Sequence, residues 1–212
     1  CMFFLRMYWE ARPEQHDNLR KLVNNGQLRV TNSGVTTADT ILPSTEALLR
    51  DLLQGQEWLR AHGLEQEPRL AYFTDSFGMS PALPSLLNAA GFDRTAFTRI
   101  DGMYFMGCDY ESSKNFPRPG STAETLENLK TTEFIWRDRN GAEVLAHWNI
   151  FNYGQGDMLA HGGFMRMYIM NFAWEARSDK AVAKKIEKFA GDLIPFSRTP
   201  YVFCPIGIDF VD

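Results

Sequence analysis

"LAYFTDSFGMSPALPSLLNAAGFDRTAFTRID", residues 70–101, is the stretch on which the fold turns. From Arg69 to Asp75 the chain is an almost continuous apolar run of strand length. Such runs suit strands covered on both faces, as in parallel sheets. "SPALPSLLNAAG" predicts a short helix entered through Pro81 and closed by Gly91. "TAFTRID" then repeats the strand pattern. Strand, helix, strand in that order implies a right-handed parallel crossover. It also raises a question about Asp75, a carboxylate standing where the first strand gives out. A helix N-cap answers it in one way. A ligand-facing acid at the carboxyl end of a parallel strand answers it in another.

Outward from this unit, helical and extended patterns alternate. "PEQHDNLRKLVNNG" (13–26) puts Leu19, Leu22 and Val23 on one helical face and stops at Gly26. "QLRVTNSG" (27–34) reads as a short strand or hairpin arm. "PSTEALLRDLLQGQEWLRAHG" (43–63) offers Ser44 as N-cap, repeats Leu48, Leu49, Leu52, Leu53 and Leu59 at helical spacing, and ends at Gly63. Residues 102–130 carry glycines, prolines, serines and charges and read as a long excursion. "TEFIWRDRNGAEVLAHWNI" (132–150) predicts a β-hairpin with Asn140-Gly141 as its two-residue turn. "DKAVAKKIEKFAGDL" (179–193) predicts a helix, and "PYVFCPIGIDF" (200–210) one more buried strand. No repeat, low-complexity tract or linker interrupts this order. Residues 1–212 therefore read as one α/β domain.

With 212 residues the chain can bury a full-sized core. A net charge of −4 leaves no basic stripe to collect phosphates, which excludes nucleic acid as a partner and gives no reason to expect an anionic membrane surface. "CMFFLRMYWEA" (1–11) is too short and too charged for a membrane span and lacks the parts of a signal peptide. It reads as the interior of a longer protein, already inside a folded element. The three cysteines, Cys1, Cys108 and Cys204, are odd in number and far apart. That pattern favours free thiols and a reducing, cytoplasmic compartment, with secretion left open by the missing start.

Ligands of open α/β sheets and barrels sit outside the carboxyl ends of the parallel strands. Those ends carry Asp75, Arg99 with Asp101, and Asp209; His147 and Tyr153 follow the hairpin arm. Paired carboxylates with an arginine and aromatic faces are the equipment of a glycosidase, one acid at the anomeric carbon and the other moving the proton. Each residue also has a plain structural reading. Asp101 and Asp209 would open loops, Arg99 would form a strand-end ion pair, and His147 would be packed or exposed. His16, His62 and His161 look like surface residues. The pattern supports an α/β enzyme acting on sugars.

The residues themselves say more. "LVNNGQLRVTNSGVTTADT", then "EALLRDLLQGQEWLRAHGLEQEPRLAYFTDSFGMSPALPSLLNAAGFDRTAFTR", then "FIWRDRNGAEVLAHWNIFNY" and "PIGIDF" resemble, in order, the catalytic domain of glycoside hydrolase family 38, the α-mannosidases. Only the stretches around 102–130 and 160–195 match poorly. The resemblance implies an incomplete (β/α) barrel-like parallel sheet with surrounding helices, and a retaining, zinc-dependent mechanism on α-mannoside glycans. On the D-x-F-G motif, Asp75 would be the nucleophile and a zinc ligand, with Phe77 beside the sugar. Arg99 would bind near nucleophile and substrate, and Tyr153 would hydrogen-bond the substrate. Asp209 would be the general acid/base. Ile208 stands where the family has another acid, and Ser76 where many members have proline. The family's other zinc ligands, a His-x-Asp pair and a late histidine, have no counterpart in this sequence, so the 212 residues alone are expected to be inactive. Two other readings stand beside this one: a related metal-dependent carbohydrate enzyme such as a polysaccharide deacetylase, and a non-catalytic sugar-binding domain.

Overall fold

The computed structural model describes residues 1–64, 66, 69–101, 117–150, 153 and 178–205. They fall into two compact units, residues 1–97 with 135–146, and residues 98–134 with 147–212.

The first unit opens with α1 (Met2–Ala11), a single 3₁₀ turn (Pro13–Gln15) and α2 (His16–Asn24). Their apolar faces meet in a core of Met2, Trp9, Leu19 and Val23 with Leu59 and Leu64. Each such side chain removed from water contributes roughly 1.5–3 kcal/mol before entropy is counted. Leu59 comes from α3 (Thr45–Ala61), whose start follows expectation: Ser44 Oγ accepts the N–H of Ala47 at 3.2 Å. Leu48, Leu52 and Leu59 form the buried stripe, and Leu53 turns outward at 40% exposure. Gln56 shares the buried face because its Nε2 donates to Ala90 O at 2.7 Å, so the buried amide keeps a partner. The residue before it is Gly55. A Cβ there would come within 1.5 Å of Ser33 O, so the helix touches the backbone of residue 33 directly.

The predicted strand at 27–34 does not form. Asn32 has φ 57°, in the left-handed region where an extended strand cannot continue. The segment instead attaches to β1 (Leu70–Phe73) through single bonds, Asn32 N to Leu70 O at 2.9 Å and Asn32 Nδ2 to Tyr72 O at 3.2 Å.

Strand β1 runs parallel to β2 (Arg94–Phe97), in register from Leu70 opposite Arg94 to Phe73 opposite Phe97. Between them lies α4 (Leu83–Ala89), so the strand–helix–strand reading of residues 70–101 holds. The helix starts later than expected. Pro84 rather than Pro81 occupies its first turn, after a turn in which Leu83 N donates to Ser80 O at 3.0 Å. Strand β2 buries Thr95, Ala96 and Phe97, whereas β1 buries only alternate residues, Ala71 and Phe73. The reason is position: the order is β1-β2-β4-β3, which leaves β1 at an edge of the described sheet.

The other two strands, β3 (Glu133–Arg137) and β4 (Glu143–Trp148), are the expected hairpin and make the sheet mixed rather than wholly parallel. Val144, Ala146 and Trp148 alternate inward along β4, the period-2 pattern of a half-buried strand. The hairpin connection is longer than a two-residue turn. Asp138 N donates to Ala142 O and Gly141 N to Asp138 O, while the Asp138 carboxylate accepts the N–H groups of Asn140 and Ala142. An acid at the turn's first position outcompetes the tighter Asn-Gly geometry.

In the second unit, α5 (Thr122–Asn128) lies inside the stretch read as an excursion. Its signal was present in "GSTAE": Ser121 Oγ accepts Glu124 N at 3.2 Å and Glu124 returns to Gly120 N at 2.7 Å, close to a capping box. The predicted helix at 179–193 is α6 (Asp179–Leu193), followed by a 3₁₀ turn, Ile194–Phe196. Thr132 N donates to Phe196 O at 2.9 Å, tying the segment after α6 to the start of β3. The expected buried strand at 200–210 is not one over its described residues. Residues 201–205 carry no regular structure and Tyr201 is 78% exposed, because the Tyr201 carbonyl accepts from Ser197 Oγ at 3.0 Å in a local turn rather than from a neighbouring strand.

Candidate active site

Asp75 lies two residues beyond the carboxyl end of β1, half-buried. It does not cap the helix that follows, since α4 begins at Leu83 with Ala82 at its N-cap position and no side-chain cap. The helix-cap reading of this carboxylate is thereby removed. Phe77, on the same loop, is 54% exposed.

The loop has no regular structure, yet it is held closely. Ser76 Oγ donates to Ala38 O at 3.2 Å, and Phe77 N donates to Asp39 Oδ1 at 2.9 Å. Thr40 Oγ1 donates to Gly78 O at 2.8 Å and accepts from Ser80 N at 3.1 Å. Residues 38–40 and 76–80 are thus stitched together pairwise, largely by short side chains. Gly78 has φ 127°, a conformation that side chains rarely adopt, and a Cβ would also meet Ile41 Cδ1 at 2.3 Å. That is the physical requirement behind the glycine of the D-x-F-G motif. Asp39 and Thr40 were not singled out from the sequence. Asp and Thr in an irregular stretch are common acceptors and donors for nearby backbone, but only the fold says which loop they serve.

Arg99 and Tyr153 belong to the second unit. Arg99 is 8% exposed, and its Cζ lies 6.0 Å from the centroid of the Tyr153 ring. At that distance the guanidinium feels the ring's negative face. Just before it, Thr98 O accepts the indole N–H of Trp148 at 3.0 Å, fixing the exit of β2. Asp101 takes its plain reading: it pairs with Arg118 and its carbonyl accepts Ala123 N at 3.0 Å. Asp209, the expected general acid/base, lies outside the described residues, as does His161.

The remaining histidines are structural. His147 Nδ1 lies 3.0 Å from Glu133 Oε1 and is half-buried. His16 and His62 are not the surface residues expected. His16 stacks on Trp9 at 3.6 Å and His62 on Trp58 at 4.0 Å, each with a ring nitrogen bonded to a backbone carbonyl. Among the described residues no group of three His, Cys, Asp or Glu side chains could hold a metal. A catalytic zinc takes about three protein ligands. Asp75 by itself does not meet that requirement, so the described donors do not fit a zinc site.

The family of glycosyl hydrolases family 38 N-terminal domains matches residues 1–210. The chain belongs to glycosyl hydrolase family 38. Alpha-mannosidase 2 of Homo sapiens is 29% identical over 149 residues, covering 68% of this chain and 11% of that protein. Alpha-mannosidase F of Dictyostelium discoideum is 24% identical, covering 98% of this chain and 19% of its own length. The chain thus spans about a tenth to a fifth of these relatives. In fold it is similar to an alpha-mannosidase from Enterococcus faecalis V583, with a TM-score of 0.67 and 18% identity over 98% of this chain and 19% of that one. The α/β architecture of this family 38 chain agrees with that likeness. No helix among its described residues is long and apolar enough to cross a membrane.

Proposed function

We propose that the protein is a retaining α-mannosidase acting on terminal α-mannosyl linkages of glycans or oligosaccharides, with residues 1–212 as part of one family 38 N-terminal catalytic domain. The observation that carries this reading is the placement of Asp75. In a family 38 chain, the acid of the D-x-F-G motif stands beyond a parallel strand, outside the N-cap position of α4 and on a loop held at fixed points.

Asp75 attacks the anomeric carbon as the bond to the leaving oxygen breaks, forming a covalent glycosyl-enzyme. Asp209 gives its proton to the leaving oxygen, then takes one from the water that releases the sugar. Phe77, 54% exposed, lies beside the sugar. Arg99 and Tyr153 bind substrate hydroxyls, the arginine also favouring nearby negative charge. The family resemblance implies zinc, for which Asp75 would be this chain's ligand. Because the described donors do not fit a complete site, no step here runs through the metal. The free thiols of Cys1 and Cys204 suit a reducing, cytoplasmic compartment.

The test is hydrolysis of an aryl α-mannoside by the full-length gene product, with an acetylated glycan assayed in parallel. Release of α-mannose as first product, lost about a thousandfold or more in Asp75→Asn, is the expected result. Release of acetate alone, or undiminished activity of Asp75→Asn, overturns it.

A further inference from the structure

We infer that Asp39 and Thr40 are positioning residues for the Asp75 carboxylate, acting through the backbone of the loop that carries it. This inference rests on the reading of Asp75 as nucleophile and extends it to residues with no assigned role.

Asp75 sits on a short span between two anchored points. On one side Tyr72 O, in β1, is held by Asn32 Nδ2 at 3.2 Å. On the other, the chain from Ser76 to Ser80 is fastened to residues 38–40 by four hydrogen bonds among nitrogen and oxygen atoms. Two of these are the side chain of Thr40, whose hydroxyl donates to Gly78 O and accepts from Ser80 N. Thr40 is 5% exposed, so its hydroxyl is fully committed where water competes poorly. A third uses the Asp39 carboxylate on the N–H of Phe77, two residues from the nucleophile. A carboxylate acceptor makes a charge-assisted bond, stronger than one to a neutral oxygen.

The loop lacks a helix or strand ladder of its own, so these side chains set its path. An attacking oxygen must lie close to the anomeric carbon and in line with the breaking bond, and a displacement of about 1 Å costs on the order of a hundredfold in rate. The substrate's remaining contacts need not change. The signature of the role is therefore a loss in kcat with little change in KM.

The experiment compares Asp39→Ala, Asp39→Asn, Thr40→Val and Thr40→Ser with wild type and Asp75→Asn in the full-length gene product. Asp39→Ala and Thr40→Val should lower kcat on an aryl α-mannoside by about 10- to 100-fold, with KM within about twofold. Asp39→Asn and Thr40→Ser keep an acceptor and a hydroxyl and should recover most of that loss. Amide hydrogen exchange supplies a readout independent of turnover. Exchange at Phe77 should rise in Asp39→Ala, while the amides within β2 keep their protection. An inactive Asp75→Asn beside an Asp39→Ala of wild-type kcat overturns the positioning role alone. Undiminished activity in Asp75→Asn overturns the nucleophile assignment. Unchanged exchange at Phe77 in Asp39→Ala overturns the clamp whatever the activities are.

Discussion

Asp138, in the turn between β3 and β4, accepts the backbone N–H of Ser85, in the first turn of α4, at 3.0 Å. The same carboxylate accepts the Ser85 hydroxyl and the N–H groups of Asn140 and Ala142, so one buried acid closes the hairpin and fastens it to the helix after the Asp75 loop. The Ser85 hydroxyl is the main cause holding this carboxyl below its ordinary 3.8; burial opposes it, and the N–H groups add to the lowering. A folded-state pKa below the unfolded one means stabilisation that is present above pH 3.8 and is lost as pH falls through the lowered value. Asp138→Ala should unfold at clearly lower urea than wild type at pH 7. The gap should narrow as pH falls below 3.8, since the wild-type carboxylate protonates and the alanine does not. A gap constant from pH 7 to pH 3 would show that the carboxylate is not the stabilising group.

A second prediction sets two effects of opposite sign against each other. Alanine within a helix is favoured over glycine by about 1 kcal/mol. At Gly55 the added Cβ would overlap Ser33 O and crowd Met2 Cγ at 3.0 Å. Ser33 has little room to retreat, since its hydroxyl donates to Leu52 O at 3.0 Å in the same contact. Overpacking of this kind costs about 1–3 kcal/mol and here involves backbone, so the steric term wins. Gly55→Ala should lower the urea midpoint. A midpoint at or above wild type would mean that the residue 33 backbone moves away at no cost.

A third concerns the buried cation of the second unit. Arg99→Lys keeps the charge but replaces a flat guanidinium by a compact ammonium, which stacks poorly on Tyr153. The expected result is a fall in kcat/KM on the order of tenfold in the full-length enzyme. Tyr153→Leu should give a similar fall. The double variant should lose less than the product of the two, since each removes the same contact. Strict multiplicativity would show that the pair acts independently.

Much of the fold is legible in local signals of the sequence. Ser44 caps α3 as its position before an apolar repeat implies, and the hairpin at 132–150 follows from two β-rich arms around a turn. The strand–helix–strand unit at 70–97 was legible because apolar runs, prolines and glycines punctuate it. The segment at 27–34 failed for a reason no pattern carries: Asn32 adopts a left-handed conformation to reach β1 with both its backbone and its side chain. Asp138 escaped notice because its partners, at residues 85, 140 and 142, are assembled only by folding.

For the site the division is similar. The D-x-F-G stretch in its family context named Asp75, since a motif of local spacing survives in one dimension. That Asp75 lies outside the α4 N-cap, that Gly78 needs its φ of 127°, and that Asp39 and Thr40 hold the loop were decided by tertiary structure. Residues 38–40 and 76–80 lie almost forty positions apart, and nothing in their composition pairs them. The sequence by itself nominated the residues for the proposed chemistry, because chemical identity is local. Only the folded chain decided how that carboxylate is held, because hydrogen bonds between distant irregular segments exist only once the strands and helices around them have fixed both in place.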